Sequence, residues 1–114
     1  MDKSQALSAF SALSQETRLD TLILLVKAGA DGVAAGDLAR HLGIRHNLMS
    51  QHLNVLSQAG LISSERQGRS IIYRVEFNAL RGLSGFLLSE CCQGLPNIIS
   101  GLENAALALE GDPV

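Results

Sequence analysis

One segment of this 114-residue chain constrains the fold more than any other: from Ile44 to Ala59 the side chains divide between two faces at helical spacing. Met49, Leu53 and Leu56 recur on one side and belong in a core. The other side carries Asn47, Ser50, Gln51, Asn54 and Gln58, which are polar but almost uncharged. A merely solvated helix would more often show Lys and Glu there, whereas these side chains donate and accept hydrogen bonds. Glycines bracket the segment. Gly43 closes a shorter helix over Ala34 to Leu42, and Gly60 ends the long one.

The rest of the pattern supplies a frame for that helix. Leu7, Phe10 and Leu13 at three-residue steps make Gln5 to Leu13 a short amphipathic helix whose apolar side needs a partner. Ser14 is expected to cap a second helix with Glu16 in its first turn; Leu19, Leu22, Ile23 and Val26 form its buried stripe, and Gly29 lies near its end. Beyond Gly60 come two extended runs, Leu61 to Arg66 and Ser70 to Val75, around the turn Gln67-Gly68-Arg69. A last helix from Asn78 to Cys92 places Leu80, Leu83, Leu87 and Leu88 on one side and stops at Gly94 and Pro96. The expected fold is mainly α (α+β), a winged helix-turn-helix with a two-stranded β-hairpin wing. Residues 1–94 form its single domain. Residues 95–114 form a C-terminal tail in which Leu102 to Leu109 is weakly amphipathic.

Composition narrows the function. Hydrophobic residues make up 46% and aromatics only 4%, too apolar for disorder and too poor in rings for a stacking surface. No apolar run approaches the roughly 18 residues of a membrane span, and the start lacks a secretory pattern, so the cytoplasm is the expected location. The net charge of −2 conceals a segregation: Arg40 to Arg74 holds five arginines against Glu65 alone, with His41, His46 and His52, while the remainder sums to −6. This basic stretch contains the amide-bearing helix. Asn and Gln pair bidentately with adenine, Ser serves several base edges, and arginines at a hairpin tip reach phosphate or a narrow minor groove. The candidate DNA-binding residues are His46, Asn47, Ser50, Gln51 and Asn54, with Arg66 and Arg69 in the positioning role. A winged-helix protein-interaction module is the reading from another class, and the acidic total suits it. An enzyme is not expected, since there is no Cys-x-x-Cys motif and no nucleotide-binding glycine loop.

Several ordered motifs together carry a family resemblance: Asp37-Leu38-Ala39, Leu42-Gly43-Ile44, Ser50-Gln51-His52-Leu53-Asn54-Val55-Leu56, Ala59-Gly60-Leu61-Ile62, Arg66-Gln67-Gly68-Arg69 and Tyr73-Arg74. From about Leu13, through Glu16-Thr17-Arg18-Leu19, to about Cys92 the chain resembles the ArsR/SmtB family of winged-helix repressors. The resemblance implies a homodimer joined through the first and last helices, where Leu7, Phe10, Leu83 and Leu87 lie, bound to an inverted-repeat operator in double-stranded DNA and released by an effector. Arg45 stands where the family often has a Ser cap, which moves the expected start of the DNA-reading helix toward His46-Asn47.

The two cysteines, Cys91 and Cys92, are adjacent at the expected end of the last helix. In a reducing compartment they stay thiols, and helical neighbours point about 100° apart, so both are not core. Soft thiolates select thiophilic ions, and trivalent arsenic or antimony fits. Zinc-sensing members of the family use His and carboxylates on the last helix, and this chain has no His after His52; other members place cysteines near the third helix, where Val33-Ala34-Ala35-Gly36-Asp37 stands. What remains resembles the arsenic-responsive branch with a Cys-Cys pair. The third cysteine common there is missing from Pro96-Asn97-Ile98-Ile99, so arsenite lacks a three-sulfur cage within one subunit, whereas a methylated or aryl arsenical needs only two sulfurs. The expected effector is therefore trivalent arsenic, as arsenite or methylarsenite, or antimonite, bound at Cys91 and Cys92, with no cofactor required. Oxidation or persulfidation of the same thiols is the alternative.

Overall fold

A computed structural model describes residues 1–91, the side chains of Glu90 and Cys91 excepted. Five helices, α1 (Lys3–Leu13), α2 (Glu16–Ala28), α3 (Ala35–Leu42), α4 (His46–Gln58) and α5 (Phe77–Cys91), surround a small antiparallel sheet of β1 (Val33–Ala34), β2 (Ile62–Gln67) and β3 (Ser70–Val75). Among the described residues no helix is long and apolar enough to cross a membrane. The core runs through all layers: Leu25 of α2, Leu38 of α3, Met49, Leu53 and Leu56 of α4, and Leu61 at the head of β2 are each at most 1% exposed. Burying a side chain of this kind contributes roughly 1.5–3 kcal/mol, so this cluster outweighs any single polar contact in the chain.

Local chemistry sets the ends of the elements. Asp2 and Gln5 form a reciprocal capping box at the start of α1, each side chain accepting the other's backbone N–H at 2.8 Å. This cap begins the helix two residues earlier than its apolar spacing indicates. Gly43 ends α3 in the left-handed region at φ 66°, and the N–H groups of Gly43 and Ile44 reach back to carbonyls of α3. That closure makes the three-residue turn Gly43-Ile44-Arg45 between α3 and α4. The hairpin pairs Gln67 with Ser70 and Ile62 with Val75, leaving Gly68 and Arg69 as its two-residue turn, with Gly68 at φ 62°.

The structure extends or corrects several sequence expectations. The wing belongs to a three-stranded sheet of order β1-β3-β2, because Val33 and Ala34 pair with Tyr73 and Ile72 ahead of α3. Ser14 does not cap α2: it is the C-cap residue of α1 and its hydroxyl donates to the Ser11 carbonyl, while the Gln15 side chain accepts the Arg18 N–H instead. Finally, only Leu22 of the expected α2 stripe turns inward, and the row of α1 that faces the protomer's core is made of alanines. In α1 the buried row is Ala6, Ala9 and Ala12, with Leu7 and Phe10 exposed. In α2 it is Thr21, Leu22 and Leu25, with Leu19, Ile23 and Val26 exposed. The last helix begins at Phe77 rather than Asn78; the expected Cys92 end and the tail over residues 95–114, including Leu102 to Leu109, lie outside the described residues.

Gly32 follows the short 3-10 turn Gly29–Asp31 and leads into β1 in a backbone conformation, φ 68° and ψ −174°, that essentially only glycine adopts. A Cβ there would lie 2.6 Å from the Tyr73 carbonyl oxygen, whereas one at Gly43 would meet nothing within 4 Å. Urea denaturation should therefore find Gly32→Ala destabilised by more than about 3 kcal/mol, conformational strain plus the clash, and Gly43→Ala by about 1–2 kcal/mol.

Candidate nucleic-acid interface

The buried row of α4 dictates what the helix shows to solvent. With Met49, Leu53 and Leu56 inward, the opposite arc carries Asn47, Ser50, Gln51 and Asn54, all exposed, and His46 is exposed at its start. The structure brings these five residues onto one helix following the Gly43 turn, the arrangement in which the second helix of a helix-turn-helix enters the major groove. Arg45 occupies the N-cap of α4 without a side-chain cap bond, so the helix starts at His46 as its departure from the Ser pattern implies. Asn47 Oδ1 accepts the Leu48 N–H at 2.9 Å, which turns its carbonyl to the backbone in the unbound protein.

The basic stretch is chemically uneven. Arg74 is drawn into the protein: its Nε donates to the Ala30 carbonyl at 2.8 Å, and its guanidinium lies 3.6 Å from Glu65. Arg40 is paired with Asp37 one turn earlier on α3. Arg66 and Arg69 are exposed at the far end of the hairpin, and neither is in an ion pair among the described residues. The wing thus keeps two arginines whose charge is not already compensated.

Arg18, which the sequence marked only as part of a motif, ties the frame to α4. Its Nε donates to the Ala12 carbonyl at the end of α1 at 2.6 Å, and its Nη1 lies 3.3 Å from Nδ1 of His52 in α4. His52 is 9% exposed, so it sits in the wall of the core rather than on the DNA face. Burial first, and the neighbouring guanidinium second, hold its pKa below the usual 6.5; neutral Nδ1 then accepts from Arg18. Of the remaining candidates, Leu7, Phe10 and Leu87 are exposed, whereas Leu83 is buried in the protomer's own core. Cys91 is the last residue of α5; its side chain and all of Cys92 lie outside the described residues.

Comparison with known proteins agrees with this geometry. A family model described as a helix-turn-helix domain matches residues 13–65. The chain is 34% identical over 88 residues to the HTH-type transcriptional regulator YgaV of Escherichia coli, covering 77% of this chain and 87% of that protein. It is 38% identical over 82 residues to the transcriptional repressor SdpR of Bacillus subtilis, covering 72% and 88%. The solved structure of an ArsR-like transcriptional regulator from Rhodococcus superposes with a TM-score of 0.70 at 28% identity, covering 97% of this chain and 96% of that one. The chain belongs to the ArsR/SmtB family of winged-helix transcriptional regulators, DNA-binding proteins rather than enzymes.

The buried histidine generates a pH dependence with a definite sign. An unfolded chain protonates His52 near pH 6.5 and the native state only at lower pH, so the unfolded state binds more protons and stability falls as pH drops below 6.5. His52→Gln keeps an acceptor near Arg18 without a titrating group. Urea titrations of the two proteins between pH 5 and 8, a range about the ordinary His pKa, should show a steeper acid loss in the parent. Equal slopes would contradict the assignment.

Proposed function

We propose that this protein is a homodimeric repressor that reads an inverted-repeat operator with His46, Asn47, Ser50, Gln51 and Asn54 of α4 and grips the backbone with Arg66 and Arg69. A trivalent arsenical bound at Cys91 and Cys92 releases it. The uncharged amide face of α4 carries the proposal: donors and acceptors set into a helix that follows a tight turn suit base edges, whereas a protein-interaction surface would centre on apolar anchors. Leu7 and Phe10 on α1 and Leu87 on α5 support a dimer, because large apolar side chains left outside the protomer's core need a cover. Leu83 contributes from beneath, packed behind that face. Two copies related by a two-fold axis present two copies of α4, which is what an inverted repeat matches.

The division of labour within the interface is measurable by titrating fluorescent duplexes. Asn47→Ala and Gln51→Ala should weaken binding to a duplex selected by the protein by about 1–3 kcal/mol each and leave random duplex nearly unchanged. Arg66→Ala and Arg69→Ala should weaken both duplexes, and each should lower the slope of log affinity against log salt by about one. Equal losses on both duplexes for all four variants would refute the assignment.

The effector half is tested separately, since Cys91 and Cys92 are not among the proposed base-reading groups of α4. Native mass spectrometry of the reduced protein with arsenite, methylarsenite and zinc should show one arsenical per subunit and no zinc. The adduct should vanish in the Cys91→Ser, Cys92→Ser double variant. Arsenical adducts that persist in the variant, or none in the parent, would overturn the arsenical reading and direct attention to thiol oxidation or persulfidation, leaving the DNA-binding assignment intact.

A further inference from the structure

Leu48 is 37% exposed in the first turn of α4, on a helix whose other outward side chains near its start are polar. It does not belong to the inward row. Met49, Leu53 and Leu56 face the core, and Leu48 and Val55, seven residues apart, lie along one margin of the solvent arc. Helix geometry sets Leu48 about 60° around the axis from Gln51 and roughly 4.5 Å before it. An aliphatic side chain is thus held beside the amides Asn47 and Gln51, in the part of the helix that comes closest to base edges in helix-turn-helix complexes.

We infer that Leu48 is a specificity-determining residue that reads the C5-methyl group of thymine in the major groove. This rests on α4 being the base-reading helix and adds a contact of a different kind to it. The thymine methyl is the apolar group that the major groove displays, and covering it with a leucine removes apolar surface of both partners from water. The neighbours are chemically consistent. Side-chain amides that pair with adenine select A·T pairs, and each such pair places a thymine methyl on the opposite strand within reach of the same helix turn. Val55 is the internal comparison: it shares the margin and the exposure but lies two turns further along, about 10 Å from Leu48 along the axis, away from the end of the helix that contacts bases.

The test removes the methyl without changing base pairing. A duplex is enriched from a random pool by binding to the protein itself, and each thymine of the enriched site is replaced in turn by deoxyuridine. At one thymine per half-site the parent should lose roughly fourfold in affinity, the factor expected for one buried methyl-sized group. Leu48→Ala, a substitution that a helix accepts readily, should bind the thymine and deoxyuridine duplexes equally, while Val55→Ala should keep the parent's discrimination. An undiminished penalty in Leu48→Ala, a penalty lost in Val55→Ala instead, or no penalty at any thymine would overturn the inference while leaving α4 as the reader. Failure to enrich any duplex would remove the base-reading assignment itself and Leu48's role with it.

Discussion

Met49, Leu53 and Leu56 share one closed cluster with Leu25, Leu38 and Leu61, and none of these six side chains is more than 1% exposed. Protein interiors are packed to crystal density, so a helix seated this way has one rotational setting. Turning α4 by a single residue, about 100°, would swing Met49, Leu53 and Leu56 out of the cluster. The polar arc is therefore aimed by apolar contacts on the opposite side. Gly43 completes the constraint by ending α3 in a left-handed residue, which fixes where α4 begins relative to the helix before it.

Charge is distributed by a similar logic. Arg74 reaches Glu65 diagonally across the strand pair, and its side chain also holds the Ala30 carbonyl, so one arginine joins the hairpin to the loop after α2. What is left at the tip is a small positive end on a firmly anchored strand pair. Arg18 performs a comparable structural task inside the helical layer: a single guanidinium contacts the end of α1 and the middle of α4 from the start of α2. α1 and α4 are joined there through Arg18 and His52.

How much of this was legible in the sequence differs by element, for physical reasons. α4 was legible because its hydrophobic period, its polar face and its bounding glycines agree, and the DNA candidates on it are placed together as expected. The hairpin was legible from alternation around Gln67-Gly68-Arg69. β1 was not, since two residues cannot display a period and their pairing depends on Tyr73 and Ile72 some forty positions away. α2 misled because periodicity reports that a helix has an apolar side, not what covers it: Leu19, Ile23 and Val26 point away from the protomer's own core, as do Leu7 and Phe10 of α1, for which a partner is expected. The Arg18–His52 contact spans 34 positions and leaves no local pattern to find.

The alanine row of α1 gives the molecule a mechanical asymmetry. Leucine and methionine side chains interdigitate, so sliding α4 would require them to climb past one another. Ala6, Ala9 and Ala12 present only methyl groups and make a low-relief seam. Small shear displacements of packed helices are among the ordinary ways in which proteins change state, and a seam without ridges opposes them least. The fold thus combines an interdigitated seat beneath α4 and a low-relief one beneath α1, the helix that carries Leu7 and Phe10. Arg18 grips the Ala12 carbonyl at the end of that alanine row.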